Sequence, residues 1–286
     1  MSFLQTALLG ALAGSTIFLG LPLGRMQRID DRARVALAMF AVGILTFIFV
    51  DVLQHGLSIV QVSVDAWHHH GGAFGAAALR VLLLGAGFTA GSAGLGMIER
   101  TIRARAVQPP VMGGAGAAAV ALDEATVAAQ AEVTRRNAAL YRGFTIAAAI
   151  GLHNFAEGLA IGVSARAGAI SLATVLIIGF ALHNATEGFG IVGPLGDVRP
   201  SWRWLGVVGV IGGGPTFAGT LLGYTVTSTP LELAFYALAA GAILYVIGEV
   251  WHAMRRYGHR ELGLCLLAAG FLTGVLTDIV VSYGGG

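Results

Sequence analysis

The chain has 286 residues, of which 56% are hydrophobic and 11% charged, and its mean hydropathy is +0.78. Soluble domains carry about 25% charged residues, so this composition excludes an ordinary water-soluble globule and points to helices that face lipid. The 17 basic residues are all arginines, set against 15 acids, and they are spread through loops in a way that does not suggest nucleic acid.

A spanning helix needs about 20 mostly apolar residues. The N-terminal MSFLQTALLGALAGSTIFLG has no basic residue ahead of its apolar run and no clear cleavage site. It is therefore read as a first span, 4–23, rather than as a cleaved signal peptide. Further spans are predicted at 34–54, 78–98, 141–164, 169–192, 203–226, 231–253 and 261–283, which makes an all-α polytopic membrane protein of eight transmembrane helices in one domain, 1–286. The connection at 99–140 holds Pro109-Pro110, a Gly/Ala-rich tract and DEATVAAQAEVTRRN, which predicts a short amphipathic helix. The 43 glycines lie within apolar runs, as in bundles whose helices approach closely through small residues. Cys265, the single cysteine, lies in such a run, is read as a small buried hydrophobe, and excludes an intrachain disulfide.

Arginines set the orientation. Fifteen of the 17 fall in the connections after spans 1, 3, 5 and 7, and only Arg80 and Arg166 fall on the other side. Basic loops stay cytoplasmic, so both termini are expected outside the cytoplasm and the 99–140 loop inside it.

Charges inside a bilayer cost about 3 kcal/mol each on insertion scales and persist mainly where they act or pair. Glu157, Glu187 and Glu249 lie within predicted spans 4, 5 and 7, with His153 and His183 in spans 4 and 5. No arginine is predicted mid-span to neutralise the carboxylates, which makes a bound cation the simplest partner. Span 4 reads GLHNFAEGLAIG and span 5 reads ALHNATEGFGIVGP. His153/Glu157 and His183/Glu187 are thus two copies of an i, i+4 pair, each on one helix face. A short connection makes the two helices neighbours. Two imidazoles and two carboxylates suit Zn²⁺, and also Fe²⁺, Mn²⁺ or Co²⁺. Asn154 and Asn184 add carbonyl oxygens, and Gly158 and Gly188 permit close helix approach.

These residues resemble the ZIP (Zrt-, Irt-like protein) family of metal transporters, on its bacterial branch. In that family span 4 commonly carries HN-x-P-E-G, and span 5 the same or HE-x-x-E-G. The similarity extends to eight spans, external termini and a long cytoplasmic loop between spans 3 and 4. Span 7, GAILYVIGEVWHAM, is similar to the family's G-A-x-x-Y-V…E pattern and places Glu249 on its glutamate. The resemblance implies His153, Glu157 and Glu187 at one metal position, with Asn154, Asn184 and Glu187 near a second and a variable ligand role for His183. It also implies passage of metal toward the cytoplasm across a bacterial inner membrane, a homodimer, and spans 1, 4, 5 and 6 moving as an elevator against 2, 3, 7 and 8. Three departures stand out. Ala156 and Thr186 replace the motif prolines. Span 6 reads GGGPTFAGTLLG, with Pro215 and Thr216 where relatives often carry a glutamate for a second metal. Trp251 and His252 follow Glu249 where relatives often read I-P-E.

Other polar signals are weaker. WHHHGG, with His68, His69 and His70 near Asp65, is predicted as an external loop that either gathers metal or plays no part in transport. Asp51/His55 and Glu249/His252 share helix faces near span ends, Asp278 lies late in span 8, and His259 sits among loop arginines. With no Walker A loop, transport is expected to be secondary or passive. The metal is cargo rather than cofactor, and the chain is expected not to be an enzyme. A membrane-embedded metalloenzyme, a structural-metal scaffold and a selective channel are the alternatives. H-E-x-x-H is absent, and the E-x-x-H pairing of di-iron bundles occurs once, at Glu249/His252.

Overall fold

The computed structural model describes residues 2–26, 30–106, 124–166, 184–225 and 228–284, and among these all regular structure is helical. Helix α1 (Phe3–Ser15) opens on a Ser2 cap reciprocated by Gln5 and continues through Ile17–Gly20 into a 3-10 turn, Leu21–Arg25. Helix α2 (Asp31–His70) is capped by the Asp30 carboxylate, which accepts from the Ala33 amide at 2.7 Å. Helix α3 (Phe74–Thr89) passes through a π turn, Ala90–Gly94, into Leu95–Ala106. Helix α4 is Glu124–Arg166, α5 covers residues 184–192, and α6 is Trp202–Thr225 with Pro215 inside it. Helices α7 (Thr229–Met254) and α8 (Arg260–Gly284) complete the bundle.

Seven stretches among the described residues are long and apolar enough to cross a membrane, as a multi-pass membrane protein requires. Most of the predicted fifth span, including His183, lies outside the described residues. Two predicted boundaries are corrected. Helix α2 runs 40 residues, not 21. No proline stands between residue 54 and Gly71, and the helix stops only at Gly71, whose φ of 69° suits glycine. His68, His69 and His70 therefore form the last helical turn rather than a loop. The predicted amphipathic helix before span 4 is likewise the start of α4. From Glu124 to Arg142 the sequence holds neither glycine nor proline, and its Ala, Glu, Gln and Arg favour helix. Residues 124–140 thus extend α4, 107–123 lie outside the described residues, and the 99–140 connection is helical at both its ends.

Among the described residues, glycine seams join helices in pairs, all but one of them parallel. A Cβ on Gly14 of α1 would strike the Gly213 carbonyl of α6, and one on Gly213 would strike the Gly14 carbonyl. The same reciprocal fit joins Gly20 of α1 to Gly188 of α5, Gly43 of α2 to Gly270 of α8, and Gly91 of α3 to Gly241 of α7. Between α4 and α6, Gly151, Gly158 and Gly162 face the carbonyls of Ile211, Thr216 and Thr220, while Gly219 and Gly223 face those of Phe155 and Leu159. Only the α1–α6 seam is antiparallel. Among the described residues the seams and the helix contacts sort the bundle into two groups, α1/α4/α5/α6 and α2/α3/α7/α8, which meet where α4 crosses α7. That crossing is built from side chains, with Phe155 and Phe235 at 4.7 Å between ring centroids.

Candidate metal centre

Helix α4 presents His153, Asn154 and Glu157 toward α5 and α6, where they are 0–5% exposed. The spacing follows from the helix: Gly151 and Gly158 sit one on each side of the polar residues and hold α4 against the α6 backbone. Ala156 takes the position of the motif proline, and α4 runs unbroken through it. Helix α5 supplies Asn184 and Glu187, at 0% and 1% exposure. Gly188, packed on the Ile17 carbonyl of α1, anchors this helix so that Glu187 faces α4.

The His153 ring is the meeting point. Its Nε2 lies 2.9 Å from Glu157 Oε1 and 3.7 Å from Glu187 Oε1. Asn154 Nδ2 donates to Glu187 Oε2 at 3.1 Å and to the Gly212 carbonyl at 3.0 Å, so both amide hydrogens are used. Asn184 Nδ2 donates to the Ala13 carbonyl at 3.1 Å, beside the interruption of α1. Because only the NH₂ group can donate to these oxygens, each amide orientation is fixed. Asn154 Oδ1, Asn184 Oδ1 and Thr216 Oγ1 are left buried without a hydrogen-bond donor among the described residues. Thr216 is 0% exposed and lies against Gly14.

One imidazole nitrogen and two carboxylate oxygens from two helices form a borderline-hard donor set. Metal bonds of 2.0–2.1 Å in a tetrahedron place neighbouring donors about 3.3 Å apart. The separations here, 2.9 and 3.7 Å, bracket that value. The donors touch one another instead of standing around a cation-sized gap, and among the described residues no set of three or more His, Cys, Asp or Glu side chains has metal-holding geometry. A bound cation would thus replace the His153–Glu157 contact.

The structure does not bring Glu249 to this cluster. Its Oε2 lies 3.5 Å from Arg142 Nε, and Arg142 is eleven residues before His153, about 16 Å along α4. The arginine tally placed Arg142 with the connection after span 3, at the very edge of the predicted span 141–164; because α4 starts at Glu124, this arginine lies well inside the helix and reaches α7. His252 is exposed, and Asp278 is exposed on α8. Asp51 and His55 pair with each other at 3.6 Å on a half-exposed face of α2. Cys265 is exposed rather than buried. Sequence reasoning missed two polar groups. Glu99, placed at the start of a loop, is 5% exposed and accepts a hydrogen bond from Tyr245 of α7. Thr220, wholly buried, donates to the Thr216 carbonyl. Continuity of the helical pattern through LGMIERTIRARA was the signal for Glu99. No family model and no curated protein matches the chain.

Proposed function

We propose that this protein is a ZIP-like transporter that carries divalent transition-metal ions, zinc foremost and iron, manganese, cobalt or cadmium as further cargo, toward the cytoplasm. The observation that carries this reading is the convergence of His153, Glu157 and Glu187 from two helices bearing the repeated H-N-x-x-E-G pattern, at a depth where water is excluded. Two carboxylates and an imidazole so deeply buried are costly, and a divalent cation offsets that charge. Imidazole favours transition metals over Mg²⁺ or Ca²⁺. Asn154 holds Glu187 in place through its amide, and Asn184 ties α5 to α1. Span 6 offers Thr216 rather than a carboxylate, which favours one metal ion at the site over two.

Movement in this reading is of α1/α4/α5/α6 against α2/α3/α7/α8. It is supported by glycine seams that lock helices within each group and by a side-chain crossing between them. A bacterial inner-membrane homodimer with external termini completes the proposal, on the strength of arginine placement and the resemblance. Metal accumulation in proteoliposomes tests it. Saturable uptake by the wild type, lost in both Glu157→Ala and Glu187→Ala, is the expected result, and the rank order of metals names the cargo. Uptake indifferent to both substitutions would remove the site, non-saturating flux would favour a channel, and turnover of a chemical substrate would favour a metalloenzyme.

A further inference from the structure

The last turn of α2 carries a second set of metal-ligating side chains that the buried centre does not use. His69 Nε2 lies 3.7 Å from Asp65 Oδ1, and His70 Nε2 lies 3.6 Å from Asp65 Oδ2. His68 Nδ1 is 3.3 Å from His69 Nε2. Three imidazoles and a carboxylate are thus linked at separations close to the edge of about 3.3 Å in a four-coordinate zinc-type site. The local backbone explains the gathering. Asp65 and His69 are one turn apart. The helix closes at Gly71, where the Gly71 and Gly72 amides both bond the Ala66 carbonyl. That closure keeps His70 over Asp65, and Trp67, edge-on to Phe74 at 5.1 Å between ring centroids, pins the turn to α3. The unsatisfied carbonyls of a helix C-terminus add partial negative charge, which favours a cation. Arg80 of α3 donates to the Ser63 hydroxyl at 2.6 Å.

We propose that Asp65, His68, His69 and His70 form a surface site for a divalent transition-metal ion, distinct from the buried centre. The donors form a chain rather than a closed set around one point, and as they stand no three of them have metal-holding geometry. Asp65, His69 and His70 are 60–72% exposed, so they converge by side-chain rotation without backbone movement. The site sits at the end of the bundle that holds the C-terminus of α4, about 20 Å along that helix from His153. If the proposed transport function holds, the site concentrates cargo on the side from which metal enters.

Binding is tested apart from transport. Cobalt(II) is titrated by its visible absorption into the purified Glu157→Ala/Glu187→Ala protein in detergent, where the buried centre is disabled. One equivalent is expected to bind. The equivalent is lost when His68→Ala, His69→Ala and His70→Ala are added, and it weakens about tenfold with Asp65→Asn, which alters only an exposed carboxylate. No cobalt bound to the Glu157→Ala/Glu187→Ala protein, or binding unchanged by the histidine substitutions, would overturn the site. In a chain with an intact buried centre, the triple histidine variant is expected to raise the metal concentration for half-maximal uptake several-fold with the maximal rate unchanged. An unaltered half-maximal concentration would overturn the capture role. Loss of cobalt with the glutamates intact but the histidines replaced marks failure of the buried centre instead, so the two assignments fail separately.

Discussion

At the scale of single residues, the centre depends on charge more than on shape. Glu157→Gln and Glu187→Gln keep the size of the buried side chain and remove one negative charge each. Each is expected to cut metal uptake by about tenfold or more, because the cation then sits in an environment that no longer compensates it. Protons compete with metal for imidazole and carboxylate, so uptake should fall as the medium is acidified from about pH 8 to about pH 5; a flat profile would exclude histidine as a ligand. Asn154 works differently. Asn154→Ala removes donors from Glu187 Oε2 and the Gly212 carbonyl, and it should destabilise the protein by about 1–3 kcal/mol, read as earlier thermal unfolding in detergent. The His153/Glu157 pair was legible in the sequence because one helical turn separates the two residues. The link from His153 to Glu187 was legible because the pattern repeats. The double donation by Asn154 was not, since it needs the α6 backbone at a distance that only packing sets.

At the scale of helices, the stacking of small residues decides which elements pack together. Gly158→Leu would drive a side chain into the Thr216 carbonyl. It should cost about 1–3 kcal/mol by overpacking and disturb the neighbouring Glu157, with reduced folded yield as the readout. Glu249 belongs to another contact. Its partner Arg142 lies on α4, so the pair joins α4 to α7 across the group boundary. Glu249→Gln should leave equilibrium metal binding at the buried centre unaltered while changing transport rate, and exchanging the two charges should restore the rate. The sequence counted Arg142 with the arginines of the connection after span 3 and Glu249 with the metal ligands, so nothing in it paired the two. The segment DEATVAAQAEVTRRN read as a separate amphipathic helix, and residues 128–138 are exposed. Its continuity with α4 rests on the absence of any glycine or proline breaker, a weaker signal than hydropathy.

For the molecule as a whole, the division into two groups is the property with the largest mechanical reach. With Cys265 replaced, cysteines at Phe155 and Phe235 joined by a short bifunctional reagent would tie α4 to α7 where their rings now meet. Uptake should stop and return on cleavage of the tether. The same tether between Phe47 and Phe271, within the α2/α8 pair, should leave uptake intact, and equal inhibition by both would remove the moving-group reading. The all-helical class and the multi-pass character were readable from composition and hydropathy. The pairing of α1 with α5, α2 with α8, α3 with α7 and α4 with α6 was not, because glycines scattered through eight apolar runs do not announce which run each one meets. Those seams carry a consequence for heredity. A contact made by backbone against backbone freezes no side-chain rotamers, yet it admits no larger residue on either side. Mutational tolerance should therefore be sharply two-valued along each helix, nearly free among the leucines and valines that face lipid and close to nil at the paired glycines. A saturation scan of this chain would trace the bundle's pairing as lines of intolerance, with His153, Glu157 and Glu187 as a few further points between α4 and α5.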